Sequence, residues 1–365
     1  MAIAGVSSGD SSVVPSRFHS CGDDGRVLCE MCPRGCRLIE GQRGVCFVRA
    51  CRDGQIVFTS YGRSTGFCVD PIEKKPLFHF LPGTPVLSFG TAGCNLTCKF
   101  CQNWETSRAR EIDETSEPAL PDAIAKTALR LGCRSVAMTY NDPVVFFEYA
   151  VDVADACRER DLRAVAVTAG YMMPAPREEF YRHIDAANVD LKAFSRRFYR
   201  ELSGGDLNRV LDTLVYLRAK TEVWMEITTL LIPGENDGDA ELDEMTRWLV
   251  ANLGADVPLH FSAFHPDFRL LDRPPTPLST LQRARAIARG NGLRHVYVGN
   301  VRDDDGAATF CAVCGVKLIG RVGYEITSWA LNASGACKAC GAVCAGVFDG
   351  EPGAWGNRRL SVRIE

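Results

Sequence analysis

Seven short apolar segments alternate with helical patterns through the middle of the chain, and this alternation restricts the fold more than any other feature. Val86–Phe89, Ser135–Tyr140, Arg163–Thr168, Asn188–Leu191, Val223–Leu230, Pro258–Phe264 and Arg294–Val298 read as strands buried on both faces. Between them, Pro121–Leu131, Val144–Glu159, Asn208–Lys220, Ala240–Leu253 and Leu278–Arg289 carry helical periodicity. Pro121 suits a first helical position, and Gly132 and Gly254 suit helix ends. Strand starts recur every 25 to 49 residues, the size of β–α units. Such units in series predict an α/β fold, a parallel sheet curled into a partial or full (β/α) barrel. Chemistry in that architecture gathers at the C-terminal ends of the strands.

Cysteine is the compositional outlier, at 17 of 365 residues. Residues 1–20 lack a basic stretch followed by an apolar one and read as a disordered, Ser-rich tail rather than a secretory signal. A cytoplasmic location is therefore expected, with reduced thiols, which turns attention from disulfides to metals. Fourteen cysteines fall in three groups: Cys21, Cys29, Cys32, Cys36, Cys46 and Cys51; then Cys94, Cys98 and Cys101; then Cys311, Cys314, Cys337, Cys340 and Cys344. Cys68, Cys133 and Cys157 stand alone in apolar or helical surroundings and read as small buried hydrophobes.

The middle group follows the first strand in a loop, Cys94-Asn-Leu-Thr-Cys98-Lys-Phe-Cys101. Iron–sulfur clusters are normally held by four thiolates. Three close together, with no fourth nearby, would leave one iron of a 4Fe–4S cluster open, and an open metal position marks a reacting site. The alternative reading is a structural metal knuckle.

This CxxxCxxC loop resembles the radical S-adenosylmethionine superfamily, with Phe100 at the aromatic position before the third cysteine. The resemblance implies that Cys94, Cys98 and Cys101 hold a 4Fe–4S cluster whose open iron chelates S-adenosylmethionine. Reductive cleavage of that cofactor would then yield a 5′-deoxyadenosyl radical. Thr139-Tyr-Asn-Asp142-Pro143 is similar to the segment that contacts the cofactor's amino group, with Asp142 where relatives carry Glu. Asp190-Leu-Lys192 resembles the pair whose lysine meets the cofactor carboxylate. Thr168, Gly234 and His265 match ribose, adenine and methionine contacts respectively, while Ala169 stands where relatives usually carry Asn. Narrower still, Cys29-Glu-Met-Cys32-Pro-Arg-Gly-Cys36, Asn188–Phe194, Val296–Asn300 and the last cysteine group resemble the AmmeMemoRadiSam-system radical enzymes. Those are relatives of pyruvate formate-lyase activating enzyme.

Two flanking modules complete the expected organisation: a tail over 1–20, a Cys-rich module over 21–70, the barrel over 71–302 and a zinc-ribbon-like module over 303–365. In the last, Cys311-x-x-Cys314 and Cys337-x-x-Cys340 are paired knuckles, each followed by Gly, which favours zinc over an auxiliary iron–sulfur cluster. Val316–Ile326 between them reads as a hairpin. For Cys29, Cys32, Cys36 and Cys46, zinc and an auxiliary cluster are equally compatible with the spacing. Six arginines (Arg26, Arg34, Arg37, Arg43, Arg49, Arg52) make this stretch basic, either as a solvated surface or as a docking patch for an acidic partner or RNA.

Net charge, 42 − 45 = −3, argues against a nucleic-acid-binding zinc ribbon as the main activity. No apolar run is long enough to span a membrane. A fully ligated electron-transfer protein would need a fourth thiolate on the central loop. The expected partners are a small-molecule or peptide substrate and an electron donor such as flavodoxin or ferredoxin. Generation of a glycyl radical on a partner protein is the alternative.

Overall fold

The computed structural model describes residues 11–108 and 116–364. Seven parallel strands form its centre: β1 Pro85–Gly90, β2 Ser135–Met138, β3 Arg163–Thr168, β4 Ala186–Asp190, β5 Trp224–Leu231, β6 Leu259–Ala263 and β7 Val296–Gly299. Each pairs with its sequence neighbour, so the sheet order is the chain order. Among the described residues, six helices of eight residues or more lie between them: α1 Pro121–Arg130, α2 Phe147–Arg158, α3 Pro174–Tyr181, α4 Leu207–Lys220, α5 Asp239–Leu253 and α6 Leu278–Gly290. The barrel is partial. β1 pairs on its other side with an antiparallel strand, Arg63–Pro71, which in turn carries the short strand Leu360–Ser361. The sheet nevertheless curls, because one cavity touches residues at the C-terminal ends of all seven strands.

Local chemistry accounts for most of these elements. Pro121 opens α1 and Gly132 follows it with φ +69°. β2 and β4 are buried along nearly their whole length, as strands covered on both faces must be. The segment after β2 differs from the sequence expectation of one helix from Val144. Pro143–Phe146 is a tight 3-10 turn capped by Asp142, and α2 begins only at Phe147. α3 was not expected at all. Pro174 and Pro176 hide it, yet both fall in its first turn, where no intrahelical N–H is needed.

The N-terminal module is two small antiparallel sheets, Val14–Pro15/Gln55–Phe58/Arg49–Arg52 and His19–Cys21/Val27–Cys29/Arg37–Leu38. The expected tail over 1–20 is corrected in its second half: Val14 and Pro15 pair with Phe58 and Val57, and His19 with Cys29. Its first ten residues lie outside the described ones. The C-terminal module is a three-stranded sheet in which Lys317–Val322 and Glu325–Trp329 form the expected hairpin about Gly323 (φ +61°). Cys68, Cys133 and Cys157 are buried.

Two buried ionic joints bind these parts. At the floor of the barrel, the Glu226 carboxylate of β5 accepts hydrogen bonds from the backbone N–H of Phe78 (3.0 Å) and His79 (2.7 Å). It also meets Trp224 Nε1 (3.0 Å) and His260 Nε2 (2.7 Å). Burial favours its protonated form, but the His260 contact outweighs this and holds its pKa at about 2. The plug formed by Phe78 and His79 is also gripped by the buried Arg321 of the C-terminal hairpin. That guanidinium donates to Phe78 O at 2.7 Å and to Thr309 Oγ1 at 3.0 Å. At the other joint, Arg49 of the N-terminal module meets Glu148 of α2 in a bidentate pair, at 2.7 and 3.1 Å. Their side chains are 2% and 5% exposed. An Arg49→Ala variant strands the Glu148 charge in the interior, so unfolding stability should fall by about 3–5 kcal/mol. Denaturant titration measures this; a change below about 1 kcal/mol, the scale of an exposed pair, would contradict a working buried joint.

Candidate active site and metal centres

The loop leaving β1 has no regular structure before Trp104, so its shape depends on what holds it. Asn141, just past β2, is the main clamp. Its Nδ2 donates to Thr91 Oγ1 (3.1 Å), Ala92 O (3.3 Å) and Gly93 O (2.8 Å), and its Oδ1 accepts from Thr91 N–H (2.9 Å). The approach is close: a Cβ on Gly90 would meet Thr139 O at 2.6 Å. The preceding residue, Tyr140, takes φ +70°, a conformation that costs free energy and recurs at functional sites. Further along, Asn95 Nδ2 donates to Tyr171 O (2.9 Å), and Thr97 and Lys99 N–H donate to Ser203 and Leu202 O (both 2.8 Å).

These anchors turn Cys94, Cys98 and Cys101 into one cavity of about 270 Å³. Phe100, Asp142, Thr168, Asp190 and Lys192 line the same cavity. The Phe100 ring packs on Phe198, with centroids 5.5 Å apart. Lys192 Nζ lies 2.5 Å from Asp190 Oδ2. Burial alone would lower its pKa, but Asp190 and then the Cys98 sulfur outweigh this and raise it, so the cation is secure. Burial pushes the Cys98 thiol up to about 11 against the pull of Lys192, and it raises the Cys94 thiol as well. Thiols so placed stay protonated until a metal replaces the proton. Three thiols on one cavity, with the Lys192 cation beside them, fit a three-cysteine iron–sulfur group.

Asp142 and Thr168 are engaged with each other. Asp142 Oδ1 accepts from Thr168 Oγ1 (3.0 Å) and Val144 N–H (3.0 Å), and Oδ2 from Ala169 N–H (2.8 Å). The carboxylate therefore ties the end of β2 to that of β3 before it meets any ligand. Burial raises its pKa, while those three donors oppose the rise.

Gly234 and His265 are not among the lining residues. The 231–237 turn is organised by Asn236, which donates to Lys192 O (2.8 Å) and Leu230 O (2.9 Å). That leaves Gly234 exposed, with φ +76°. Phe264 points into the core at 1% exposure, so the next side chain, His265, faces solvent. Conversely, the cavity includes Thr228 and Ser262, which lie in no quoted motif, and Asn300, which ends the Val296–Asn300 motif without having been read as a site residue. Thr228 Oγ1 is buried without a hydrogen-bond partner among the described residues. Strand register offers the missing signal, since Thr228 sits opposite Asp190. Tyr199 was also missed; its hydroxyl accepts the Lys192 N–H at 3.1 Å.

The two outer cysteine groups differ in geometry. In the C-terminal module, Cys311, Cys314, Cys337 and Cys340 bring all four sulfurs within 4.8 Å of one another, with Cys311–Cys340 at 3.6 Å and Cys314–Cys337 at 3.8 Å. Each knuckle closes identically, Gly315 N–H to Cys311 O and Gly341 N–H to Cys337 O, with φ +76° and +77° at the glycines. Cys29, Cys32, Cys36 and Cys46 instead surround a small cavity of about 20 Å³. His79, His295 and Cys344 also converge, but both His79 nitrogens are taken, by Ala345 O and by the Tyr297 hydroxyl. Of the six N-terminal arginines, Arg34, Arg43 and Arg49 are bound to Asn95 O, Phe47 O and Glu148, which reduces the expected docking patch.

Residues 89–246, from the end of β1 into α5, match the Radical SAM superfamily. The chain belongs to that superfamily. A protein of Methanocaldococcus jannaschii, itself described as uncharacterized, is 38% identical over 325 residues, 89% of this chain and 96% of the relative. The GTP 3′,8-cyclase of Limosilactobacillus fermentum is 26% identical over 181 residues, 48% of this chain and 52% of the cyclase. A solved radical SAM methyltransferase from Sphaerobacter thermophilus superimposes with a TM-score of 0.47 at 18% identity, covering 84% of this chain and 81% of that one. Membership makes the chain an enzyme and implies a 4Fe–4S cluster and S-adenosylmethionine as its cofactors. No helix of the described residues is long and apolar enough to cross a membrane.

Asn141→Ala removes four hydrogen bonds from the loop while leaving the strands intact. Anaerobically reconstituted protein should retain much less iron on the central loop, with unchanged far-UV circular dichroism. Full iron retention would show that the clamp is dispensable.

Proposed function

We propose that the cavity binds S-adenosylmethionine against a cluster held by Cys94, Cys98 and Cys101 and acts on a small molecule or a peptide. The observation that carries this reading is the meeting of those three thiols with Lys192, Asp190, Asp142 and Thr168 on one cavity at the strand ends. When bound, the cluster supplies one electron that cleaves the cofactor to methionine and a 5′-deoxyadenosyl radical, which takes hydrogen from the substrate. The chain's own groups bind and orient. Lys192, steadied by Asp190 and Tyr199, offers a cation for the cofactor carboxylate. Asp142 keeps acceptor capacity beyond its three protein donors and faces the ammonium. The Thr228 hydroxyl is free to receive a ribose or substrate oxygen. The motifs at Cys29–Cys36 and Val296–Asn300 support the narrower grouping with AmmeMemoRadiSam-system enzymes.

The same reading gives the C-terminal quartet to zinc. With Zn–S bonds of about 2.3 Å, a tetrahedral site has S–S edges of about 3.8 Å; the two sulfur pairs here stand at 3.6 and 3.8 Å. A cubane cluster bonds each thiolate to a different iron and needs them further apart. Zinc there stabilises a small module with little core of its own.

Two outcomes test these assignments. Wild-type protein, reconstituted and reduced under anaerobic conditions, should produce 5′-deoxyadenosine from S-adenosylmethionine, while Cys98→Ala should not; equal product from both would overturn the cluster assignment. Chelation of zinc should lower the unfolding temperature of wild type and leave that of Cys311→Ser/Cys340→Ser unchanged. An identical response in the two would remove zinc from the module.

A further inference from the structure

The N-terminal module holds four thiols that the proposed cofactor cleft does not use. Cys29, Cys32, Cys36 and Cys46 all line one small cavity, whose apolar walls are Met31, Leu38, Val144 and Val145 and which Arg34 and Arg49 also line. Cys29 and Cys46 are buried, and Cys32 and Cys36 half-buried. The C-terminal zinc-type quartet provides an internal comparison. Its sulfurs gather within 4.8 Å of one another; those of the N-terminal four, like those of the central three, do not gather so tightly among the described residues. Four thiols around a dry, wider space match a cluster in which each sulfur bonds a different iron, rather than one tetrahedral ion.

The position of this cavity is as informative as its walls. Asn95, the residue after Cys94, also lines it. Arg34, between Cys32 and Cys36, donates its Nε to Asn95 O at 2.8 Å. A Cβ on Gly93 would come within 2.1 Å of Cys46 O, so the backbone beside one N-terminal thiol touches the backbone beside the first central one.

We propose that Cys29, Cys32, Cys36 and Cys46 hold a second 4Fe–4S cluster that relays electrons to the central one; the relay, though not the cluster itself, rests on the radical reading above. The electron balance is simple. A low-potential one-electron protein donor is oxidised by one electron as the N-terminal cluster is reduced. That cluster is then reoxidised as the central cluster gains the electron, and no atom or proton need move.

The test separates the site from the relay. Reconstituted wild type should carry about eight iron and eight sulfide per chain, and the triple variant Cys94→Ala/Cys98→Ala/Cys101→Ala about four of each, with a 4Fe–4S Mössbauer signature. Loss of all iron from the triple variant, or two zinc ions per chain in wild type, would overturn the second cluster whatever the central loop does. For the relay, Cys32→Ser/Cys36→Ser should keep its central cluster, seen by EPR after prolonged dithionite treatment. Reduction of that cluster by flavodoxin hydroquinone should be slowed severalfold. An unchanged rate in a variant shown to lack the N-terminal iron would overturn the relay.

Discussion

The start of the metal loop depends on Asn141 holding an irregular segment to the end of the barrel. Three thiols can share one inorganic group only if their backbone is fixed, and residues 91–101 have neither helix nor strand to fix them. A single amide side chain, by satisfying two backbone carbonyls, one hydroxyl and one N–H, substitutes for secondary structure over Thr91–Gly93. The close passage at Gly90 and the left-handed turn at Tyr140 follow from the same contact. Asp142, one residue on, performs the corresponding service between β2 and β3. One short segment after β2 thus shapes both the metal loop and the cofactor wall.

The flanking modules depend on the barrel through buried charge. Arg49 with Glu148 is costly to break, because removing one partner leaves the other uncompensated in a low-dielectric interior; Arg321, fully buried 3.9 Å from the Glu73 carboxylate, also donates to Phe78 O. This fixes the modules to opposite features of the barrel. The N-terminal one lies against the central cysteine loop through Arg34 and Gly93, and the C-terminal one closes the floor. Such fastening sets the N-terminal cysteine group beside the central cysteine loop.

The barrel was legible in the sequence because strands buried on both faces appear as short, continuous apolar runs; all seven are present. α3 was not, since prolines that break a helix interior are harmless in its first turn. The three central cysteines, Lys192 and Asp190 could be read from local spacing. The clamping role of Asn141, the reach of Asn236 to Lys192 O and the place of Thr228 opposite Asp190 could not, because each depends on a neighbouring strand or loop rather than on local spacing. Gly234 and His265 show the converse: each matches a motif position, yet Asn236 folds the one turn and Phe264 buries in place of the other's side chain, leaving both outside the cavity.

In the proposed site, three protein thiols leave one iron of the central cluster open to S-adenosylmethionine. EPR of the reduced protein tests it directly. Addition of S-adenosylmethionine should change the g-values of the central-cluster signal, the part of the spectrum absent from the variant lacking Cys94, Cys98 and Cys101. Identical spectra with and without saturating cofactor would mean that the cluster has no open position, and would contradict the account.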